Sequence, residues 1–455
     1  MLGRENMKKS EIQRRRFLQS TTAAGLALAA PSVWASEKAG EDGALALLGG
    51  KPVRTKPFLS WPIIDESFES DWADVLHKRG WCRLNGDYVS RFEKEYAQIM
   101  GVQDCIATCN GTNALIGSLN GLEIGPGDEV LVPPYTFVAT INVVFMQHAL
   151  PVFIDTDPKT FQMDPDKIEE RITDRTRAII PVHLGGNVCD LDKIMAIAKK
   201  HNLAVIEDAC QAHMAEWKGK KVGSIGNTGC FSFQVTKNLS SGEGGAIISN
   251  DMKLMDRIYS YHSNGRERTN TYGFRYINNG TNMRMTEFQG VLLLHQLGKL
   301  EERARIREEN AAYLTEQLKE IPGIAPAEMY EGCTRNAYHL YMFRYDSSQF
   351  AGVPRSKFMQ ALRKEGIVCS SGYSPLNKEP FIESSLNSRA FQTVFSEEHL
   401  NRYRKENQCP ANDRLCNEEA VWFLQFMLLG DRSDMDEIAG AVRKIHHNAQ
   451  KLAQA

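Results

Sequence analysis

Several features that would indicate a particular class of protein are missing from this sequence. The formal net charge is only -2 over 455 residues, which leaves no field for holding nucleic acid, so we predict no nucleic-acid partner. No Cys-x-x-Cys pair or Cys/His cluster at zinc spacing occurs, and we predict no metal site. The ten cysteines are scattered, which excludes a small disulfide scaffold; Cys409 and Cys416 alone suggest a bridge. Internal repeats and low-complexity tracts are also missing.

The first 35 residues differ in character from the rest. Arg14, Arg15 and Arg16 precede a short apolar stretch that ends in small residues at Ala35, which is the pattern of an export signal. The apolar run is too short to span a bilayer comfortably, and the paired arginines resemble a twin-arginine signal, read by machinery that exports folded proteins. We expect 1–35 to be a cleaved signal and the mature protein to be periplasmic. A disordered basic tail, a membrane tether and a cytoplasmic location are the alternatives.

Short apolar runs alternate with helical patterns between Tyr88 and about Asn250. Runs that are apolar on both faces are typical of a mostly parallel sheet covered by helices on both sides, so the predicted fold class is α/β. The predicted strands are 129–132, 151–154, 178–182 and 204–206.

The remaining sequence predicts a smaller α+β domain after a connector. The predicted elements are one charged helix over 286–318, a strand over 338–343, helices over 356–365 and 434–452, and a loop-rich insertion over 377–404. The predicted domains are a linker and N-terminal arm over 36–70, a large domain over 71–300 and a small C-terminal domain over 301–455.

Two segments carry chemistry. The run Val205-Ile206-Glu207-Asp208 ends in a carboxylate at the carboxyl edge of the predicted sheet, where α/β proteins bind ligands. Asp208 alone could bind a metal, cap a helix or pair with a protonated ring nitrogen. Downstream, Lys237 follows a strand-like run inside a Gly/Ser loop. Burial in such a turn lowers the pKa of a lysine and makes it nucleophilic enough to form an imine; in isolation Lys237 would be an exposed loop lysine.

Together these segments resemble the DegT/DnrJ/StrS-type family of aminotransferases, which depend on pyridoxal 5′-phosphate (PLP) and act on keto-sugars and cyclitols. The motifs keep their order over 45–52, 111–115, 125–130 and 282–287, so the resemblance covers nearly the whole chain after the signal. It implies a fold-type-I PLP transferase in which glutamate or glutamine gives its amino group to a keto-sugar or keto-cyclitol.

The resemblance also implies roles for the residues that face the cofactor ring. Lys237 matches the lysine that carries the cofactor and shuttles a proton, and Asp208 matches the carboxylate that keeps the ring nitrogen protonated. Gln211 matches the partner of the ring's phenolic oxygen, and Phe137 matches the aromatic residue that stacks on the ring.

The phosphate group is expected at a helix start. Gly111 and Thr112 fall where free N–H groups and the helix dipole hold a dianion, and Ser232 adds a hydroxyl. Asn282 matches an asparagine that reaches the phosphate from a neighbouring subunit, so a homodimer is implied.

Three residues are the predicted substrate contacts. His339 matches a small-domain segment near the active site, and Tyr373 and Asn377 match a loop around the sugar pocket. The sequences of the motifs are more similar to those of the family's cyclitol branch than to those of its nucleotide-sugar branch. Two residues depart from the family pattern at positions that do not affect the cofactor chemistry. Met214 replaces a glycine that family members usually carry, and Phe426 lies where they usually carry a Leu-Pro pair.

Two other functions stay open from the residues. A PLP-dependent dehydratase or deoxygenase of the same fold lacks the imine-forming lysine, which is present here as Lys237. A non-catalytic PLP-binding sensor or accessory protein would hold the cofactor without passing on an amino group.

Overall fold

Nine short strands and six helices make up the first part of this computed structural model, which describes residues 43–64, 68–268 and 275–455. The predicted signal, residues 1–35, lies outside the described residues. The strands are β1 (Asp104–Thr108), β2 (Glu129–Val132), β3 (Leu150–Phe153), β4 (Thr176–Ile179), β5 (Ala204–Asp208), β6 (Glu216–Trp217), β7 (Lys220–Lys221), β8 (Thr228–Ser232) and β9 (Gly245–Ser249). The helices are α1 (Phe68–Lys78), α2 (Tyr88–Met100), α3 (Gly111–Gly121), α4 (Ala139–Met146), α5 (Leu191–His201) and α6 (Met252–His262).

The central sheet has seven strands in the order β1-β9-β8-β5-β4-β2-β3. All neighbours from β8 to β3 are parallel, and only β9 runs against its two neighbours. The predicted α/β class with a mostly parallel sheet is therefore confirmed. Because the chain leaves the parallel strands at one edge, the loops after β5 and β8 meet there.

Alternate residues of each strand supply the cores on the two faces of the sheet. Ile106 packs in a cluster with α3, whereas its neighbours Cys105 and Ala107 pack in a cluster with α2. This alternation explains why the strands read as continuous apolar runs in the sequence, since both faces are covered.

The second part of the chain holds a smaller three-stranded antiparallel sheet, β10-β12-β13. Its elements are α7 (Glu287–Leu297), α8 (Leu300–Lys319), β10 (Ile324–Pro326), β11 (Cys333–Arg335), β12 (Leu340–Tyr345), α9 (Arg355–Lys364), α10 (Pro380–Leu386), α11 (Arg389–Val394), α12 (Glu397–Glu406), α13 (Pro410–Arg414), β13 (Ala420–Leu424), α14 (Arg432–His447) and α15 (Ala449–Gln454). Strand β11 pairs with the β6–β7 hairpin. Among the described residues, no helix is both long and apolar enough to cross a membrane.

Four expectations about local structure were wrong. The helix predicted over 286–318 is two helices, because Gly298, a poor helix former, ends α7. The closing helix likewise breaks at Asn448. The bridge between Cys409 and Cys416 is not formed: both thiols are free and buried, and the Cys416 thiol faces Asn412 instead. The fourth wrong expectation is that the insertion over 377–404 is rich in loops.

The insertion predicted as loop-rich over 377–404 contains three helices, α10 to α12. Phe391, Phe395 and Leu400 pack into the core that also holds β2 and β3, and the Tyr403 hydroxyl donates to the Pro151 carbonyl at 2.9 Å. The helices thus cover the β3 edge of the large sheet, although the chain reaches them from the small domain. The domain bounds at 70 and 300 stay a prediction.

Candidate active site

Asp208 lies at the carboxyl end of β5 and is 4% exposed. Its Oδ2 accepts a hydrogen bond from the Thr140 hydroxyl at 2.8 Å, and its Oδ1 accepts one from the Cys210 N–H at 3.2 Å. Within the described part of the chain it forms no ion pair. A buried carboxylate without a cation is costly, so this side chain is suited to a cationic partner brought in by a ligand.

Lys237 lies in the loop between β8 and β9, where the chain turns back on itself. The loop is closed by hydrogen bonds from the Val235 N–H to the Gly242 carbonyl at 2.9 Å and from the Phe233 N–H to the Gly244 carbonyl at 2.8 Å. Gly244 has a φ of 154°, a backbone conformation that favours glycine.

The amine of Lys237 is perturbed in the direction that favours nucleophilic chemistry. Burial lowers the pKa of Lys237, while the nearby Cys210 and Asp208 pull it back only in part. In the regions that the structure describes, its Nζ has neither a hydrogen bond nor an ion pair. The amine and the Asp208 carboxylate therefore share one buried region, with no direct bond between them.

The start of α3 forms the third side of this region. The Asn110 side chain caps the helix by accepting the Asn113 N–H at 2.9 Å, and the first N–H groups, at Gly111 and Thr112, have no acceptor inside the helix. A Cβ at Gly111 would lie 2.8 Å from the Ser232 Cβ. The absence of a side chain at Gly111 is therefore what lets the helix start approach Ser232.

Gln211 connects the loop after β5 to the loop between α9 and α10. Its Nε2 donates to the Tyr373 hydroxyl at 3.0 Å, and its Oε1 accepts the Gly185 N–H at 2.8 Å. The Tyr373 ring packs edge-on against Trp422 at 4.8 Å. The structure thus brings Gln211 and Tyr373 together, with one N–H of the Gln211 amide still available for a ligand.

His339 lies on the small-domain side of Lys237. Its ring is within hydrogen-bond distance, 3.2 Å, of Asn238, the residue after Lys237. Burial, reinforced by the positive charges of Lys237, His213 and Arg307, holds the pKa of His339 well below its usual range. The imidazole is therefore neutral at physiological pH.

Phe137 and Asn282 are both exposed. Phe137 lies two residues before α4 with its side chain 57% exposed. Asn282 accepts the Arg284 N–H at 3.2 Å, next to the backbone bond from the Cys109 N–H to the Met283 carbonyl at 2.8 Å. Ring stacking by Phe137 and a contact by Asn282 from a neighbouring subunit stay predictions.

Asn377 is not brought to the other predicted site residues. It is 5% exposed and exchanges side-chain to backbone hydrogen bonds with Asn407 at 3.1 and 3.2 Å, while Asn412 approaches its side chain at 3.5 Å. This cluster ties the insertion to α13. The structure therefore gives Asn377 a place in the packing of the insertion.

Sequence reasoning missed some residues around the site. Thr140 lies three residues after Phe137, yet its bond to Asp208 spans 68 positions and no local pattern indicates it. Trp61, in the N-terminal arm, donates its indole N–H to the Val235 carbonyl at 2.8 Å. The sequence shows that the arm contains a tryptophan, but it does not indicate which part of the fold the tryptophan contacts.

Comparison with known proteins gives consistent results. The model of the DegT/DnrJ/EryC1/StrS aminotransferase family matches residues 62–421. A protein of Streptoalloteichus tenebrarius named L-glutamine:2-deoxy-scyllo-inosose aminotransferase is 35% identical over 421 residues, covering 89% of this chain and 98% of the relative.

Solved structures agree with this result. An aminotransferase from Psychrobacter cryohalolentis superposes with a TM-score of 0.78 at 31% identity, covering 87% of this chain and 100% of the other. The structure of 3-amino-5-hydroxybenzoic acid synthase gives 0.77 at 28% identity, covering 88% and 100%.

Proposed function

The chain belongs to the DegT/DnrJ/EryC1/StrS aminotransferase family, and from this membership we propose that it uses PLP to move the amino group of L-glutamine to a keto-cyclitol. The observation that carries the proposal is the pairing of a buried carboxylate, Asp208, which has no cation among the described residues, with a half-buried lysine of lowered pKa, Lys237. A relative at 35% identity is named for this donor and for a keto-cyclitol.

The residues present fit PLP. A protonated ring nitrogen supplies the cation that Asp208 lacks, and the start of α3 at Gly111 and Thr112 offers N–H groups to a phosphate. The exposed Phe137 ring gains an apolar partner when it stacks on the cofactor. When bound, PLP supplies an aldehyde that accepts an amino group and a ring that takes up electrons from the substrate's α-carbon.

The side chains have separate tasks in this proposal. Because its pKa is lowered, Lys237 gives up its proton more readily than an ordinary lysine, and its amine would hold the cofactor and afterwards move a proton at the substrate carbon. Asp208 would hold the ring nitrogen, and the Thr140 hydroxyl orients its carboxylate. The second N–H of the Gln211 amide would donate to the ring oxygen.

The ketone is expected between the two domains, where His339 and Tyr373 lie. A neutral imidazole and a phenol both donate and accept hydrogen bonds, which matches the hydroxyl groups of a cyclitol. The same groups would serve a keto-sugar, which is the broader acceptor class.

Absorption spectroscopy of the PLP-loaded protein tests the proposal. We expect a visible band from the lysine-bound cofactor that disappears when L-glutamine is added and returns when 2-deoxy-scyllo-inosose follows, with the aminated cyclitol detected by mass. Borohydride reduction should leave the cofactor mass on the peptide that contains Lys237, and Lys237→Ala should show no band. Retention of the band with glutamine and glutamate would indicate a PLP-binding protein without transferase activity.

Two further proposals concern assembly and location. We propose a homodimer in which Asn282 reaches the neighbouring active site, and export of the folded chain through the signal at 1–35. Cell fractionation should place the wild type in the periplasm and an Arg14→Lys, Arg15→Lys double variant in the cytoplasm. Equal distribution of the two would contradict the export proposal.

A further inference from the structure

Arg307, on α8, is a buried arginine that the roles described so far leave unused. Its side chain is completely buried. Nε and Nη2 both donate to Oε1 of Gln425, at 2.9 and 2.5 Å. Its third nitrogen, Nη1, is buried and has no hydrogen-bond partner among the described residues, and the same holds for Nε2 of Gln425. Two adjacent buried side chains therefore each present an unused donor.

The charge of Arg307 is also uncompensated. Within the described ranges no carboxylate pairs with it. Burial and the neighbouring Arg303 lower the pKa of Arg307 to about 9, which still leaves it charged at neutral pH. An unpaired buried cation costs several kcal/mol, on the order of the penalty for a buried ion. Such a cost is explained most simply by a ligand that carries the missing negative charge.

The position of Arg307 connects it to Lys237. The guanidinium lies 5.4 Å from the Trp61 ring, and the Trp61 indole donates to the carbonyl of Val235, two residues before Lys237. His213 and His339 both feel the positive charges of Lys237 and of Arg307. Arg307 therefore lies close to the loop that holds Lys237.

We infer that Arg307 and Gln425 together bind the carboxylate of the donor amino acid. The inference rests on the proposed function and adds the group that recognises the donor. A guanidinium presents N–H donors in a fork that matches a carboxylate, and the Gln425 amide adds one more. The ketone acceptor has no carboxylate, so this pair serves only the half-reaction that consumes the amino acid.

The first test separates the two half-reactions of the PLP-loaded enzyme. With Arg307→Met we expect kcat/KM for L-glutamine to fall on the order of 100-fold or more, because truncating one member of a buried charged contact has effects of this size. The reaction of the ketone with enzyme loaded with pyridoxamine 5′-phosphate should change less than about twofold. Arg305→Met, on an exposed residue of the same helix, is the control and should match the wild type in both.

A second variant separates recognition from a structural role. Gln425→Glu supplies a carboxylate from the protein itself, directly against Arg307. We expect the fold to be at least as stable as the wild type while kcat/KM for L-glutamine falls, since the internal carboxylate competes with that of the donor. If Arg307 only supports the fold, this variant should be fully active, and that result would overturn the inference.

Thermal unfolding of the cofactor-free protein gives a readout that does not depend on activity. L-glutamine should raise the unfolding temperature of the wild type, whereas L-glutaminol, which has a hydroxymethyl group in place of the carboxylate, should not. Gln425→Glu should respond to neither. An equal response to both compounds in the wild type would contradict the inference. A wild type whose visible band no amino acid changes would instead refute the proposed function.

Discussion

At the scale of single residues, the carboxylate of Asp208 depends on a hydroxyl that the sequence did not single out. Its Oδ2 accepts the Thr140 hydroxyl at 2.8 Å, and both side chains are buried. The segment 204–208 ends in an acid at a sheet edge, so Asp208 was predictable from the strand pattern. Thr140 was not, because only the fold brings the first turn of α4 to the end of β5.

We expect Thr140→Val to slow the half-reaction with L-glutamine by about 10- to 100-fold, because hydrogen bonds to charged groups contribute about 1.5–3 kcal/mol. The valine keeps the shape of the side chain, but the buried Asp208 carboxylate and Thr136 hydroxyl each lose a partner, so the unfolding temperature should also fall. Stopped-flow absorption after mixing with glutamine measures the rate constant. Met146→Ala, on the exposed end of the same helix, is the control. An unchanged rate in Thr140→Val would show that Asp208 is oriented without this bond.

At the scale of elements, the start of α3 is the part of the site that the sequence predicted most directly. A turn before a helical pattern placed Gly111 and Thr112 at a helix N-terminus, where α3 begins, and the phosphate site predicted there rests on the free N–H groups. The sequence could not show that Ser232 and Cys210 close the other side of the turn, because they lie on separate strands and loops.

We expect Gly111→Ala to weaken PLP binding by about tenfold or more. The added Cβ would lie 2.8 Å from the Ser232 Cβ and 3.0 Å from the Cys210 Sγ, and overpacking of this kind typically costs about 1–3 kcal/mol. Titration of the cofactor-free protein with PLP, followed by absorption, measures the dissociation constant. Gly125→Ala, where a Cβ would meet nothing within 4 Å, should bind PLP like the wild type. Equal affinities for both variants would argue against phosphate binding at α3.

The insertion shows where element prediction fails. Helices α10 to α12 each bury only a few side chains, such as Ile382, Phe391 and Leu400, and expose polar residues on the remaining faces. Short amphipathic helices of this kind lack a period long enough to recognise. They are stabilised by packing on the β3 edge, a long-range contact that a local pattern does not contain.

At the scale of the whole molecule, the exposed apolar surface near α1 bears on the proposed homodimer. Trp72, Leu76, Trp81 and Leu84 are each between 41% and 50% exposed, and the two tryptophan rings lie 5.1 and 6.0 Å from the Phe288 ring. Patches of this kind on a folded chain commonly mark contacts between proteins.

We expect Trp81→Glu to shift the protein from dimer to monomer in sedimentation velocity, because a charge in the centre of an apolar interface is left without a partner. The folded monomer should keep its helical circular dichroism, so loss of assembly is separable from loss of the fold. Met252→Glu, at another exposed apolar residue, should leave the dimer intact. A dimer that persists in Trp81→Glu would place the interface on a different surface.

The stability of the whole molecule should also depend on pH through its buried histidines. Burial lowers the pKa of His213 to about 4 and that of His262 to about 3, compared with about 6.5 in an unfolded chain. At a pH between the folded and unfolded pKa values, the unfolded chain binds protons that the folded protein excludes. Each histidine's contribution to the free energy of unfolding is therefore complete above pH about 6.5 and is lost as the pH falls towards the pKa of the folded state.

His262 allows this effect to be measured alone. Its Nε2 lies 3.1 Å from the Ala107 carbonyl, a bond that a glutamine amide can replace without titrating. In urea unfolding between pH 7.5 and 4.5, the free energy of unfolding of His262→Gln should fall less steeply than that of the wild type, with a slope difference approaching about 1.4 kcal/mol per pH unit. His77→Gln, at an exposed position, should run parallel to the wild type. Parallel curves for His262→Gln as well would mean that the folded protein protonates this imidazole as readily as the unfolded chain does, which would require a counter-charge at the end of α6, where burial and the charge of Arg83 disfavour the proton.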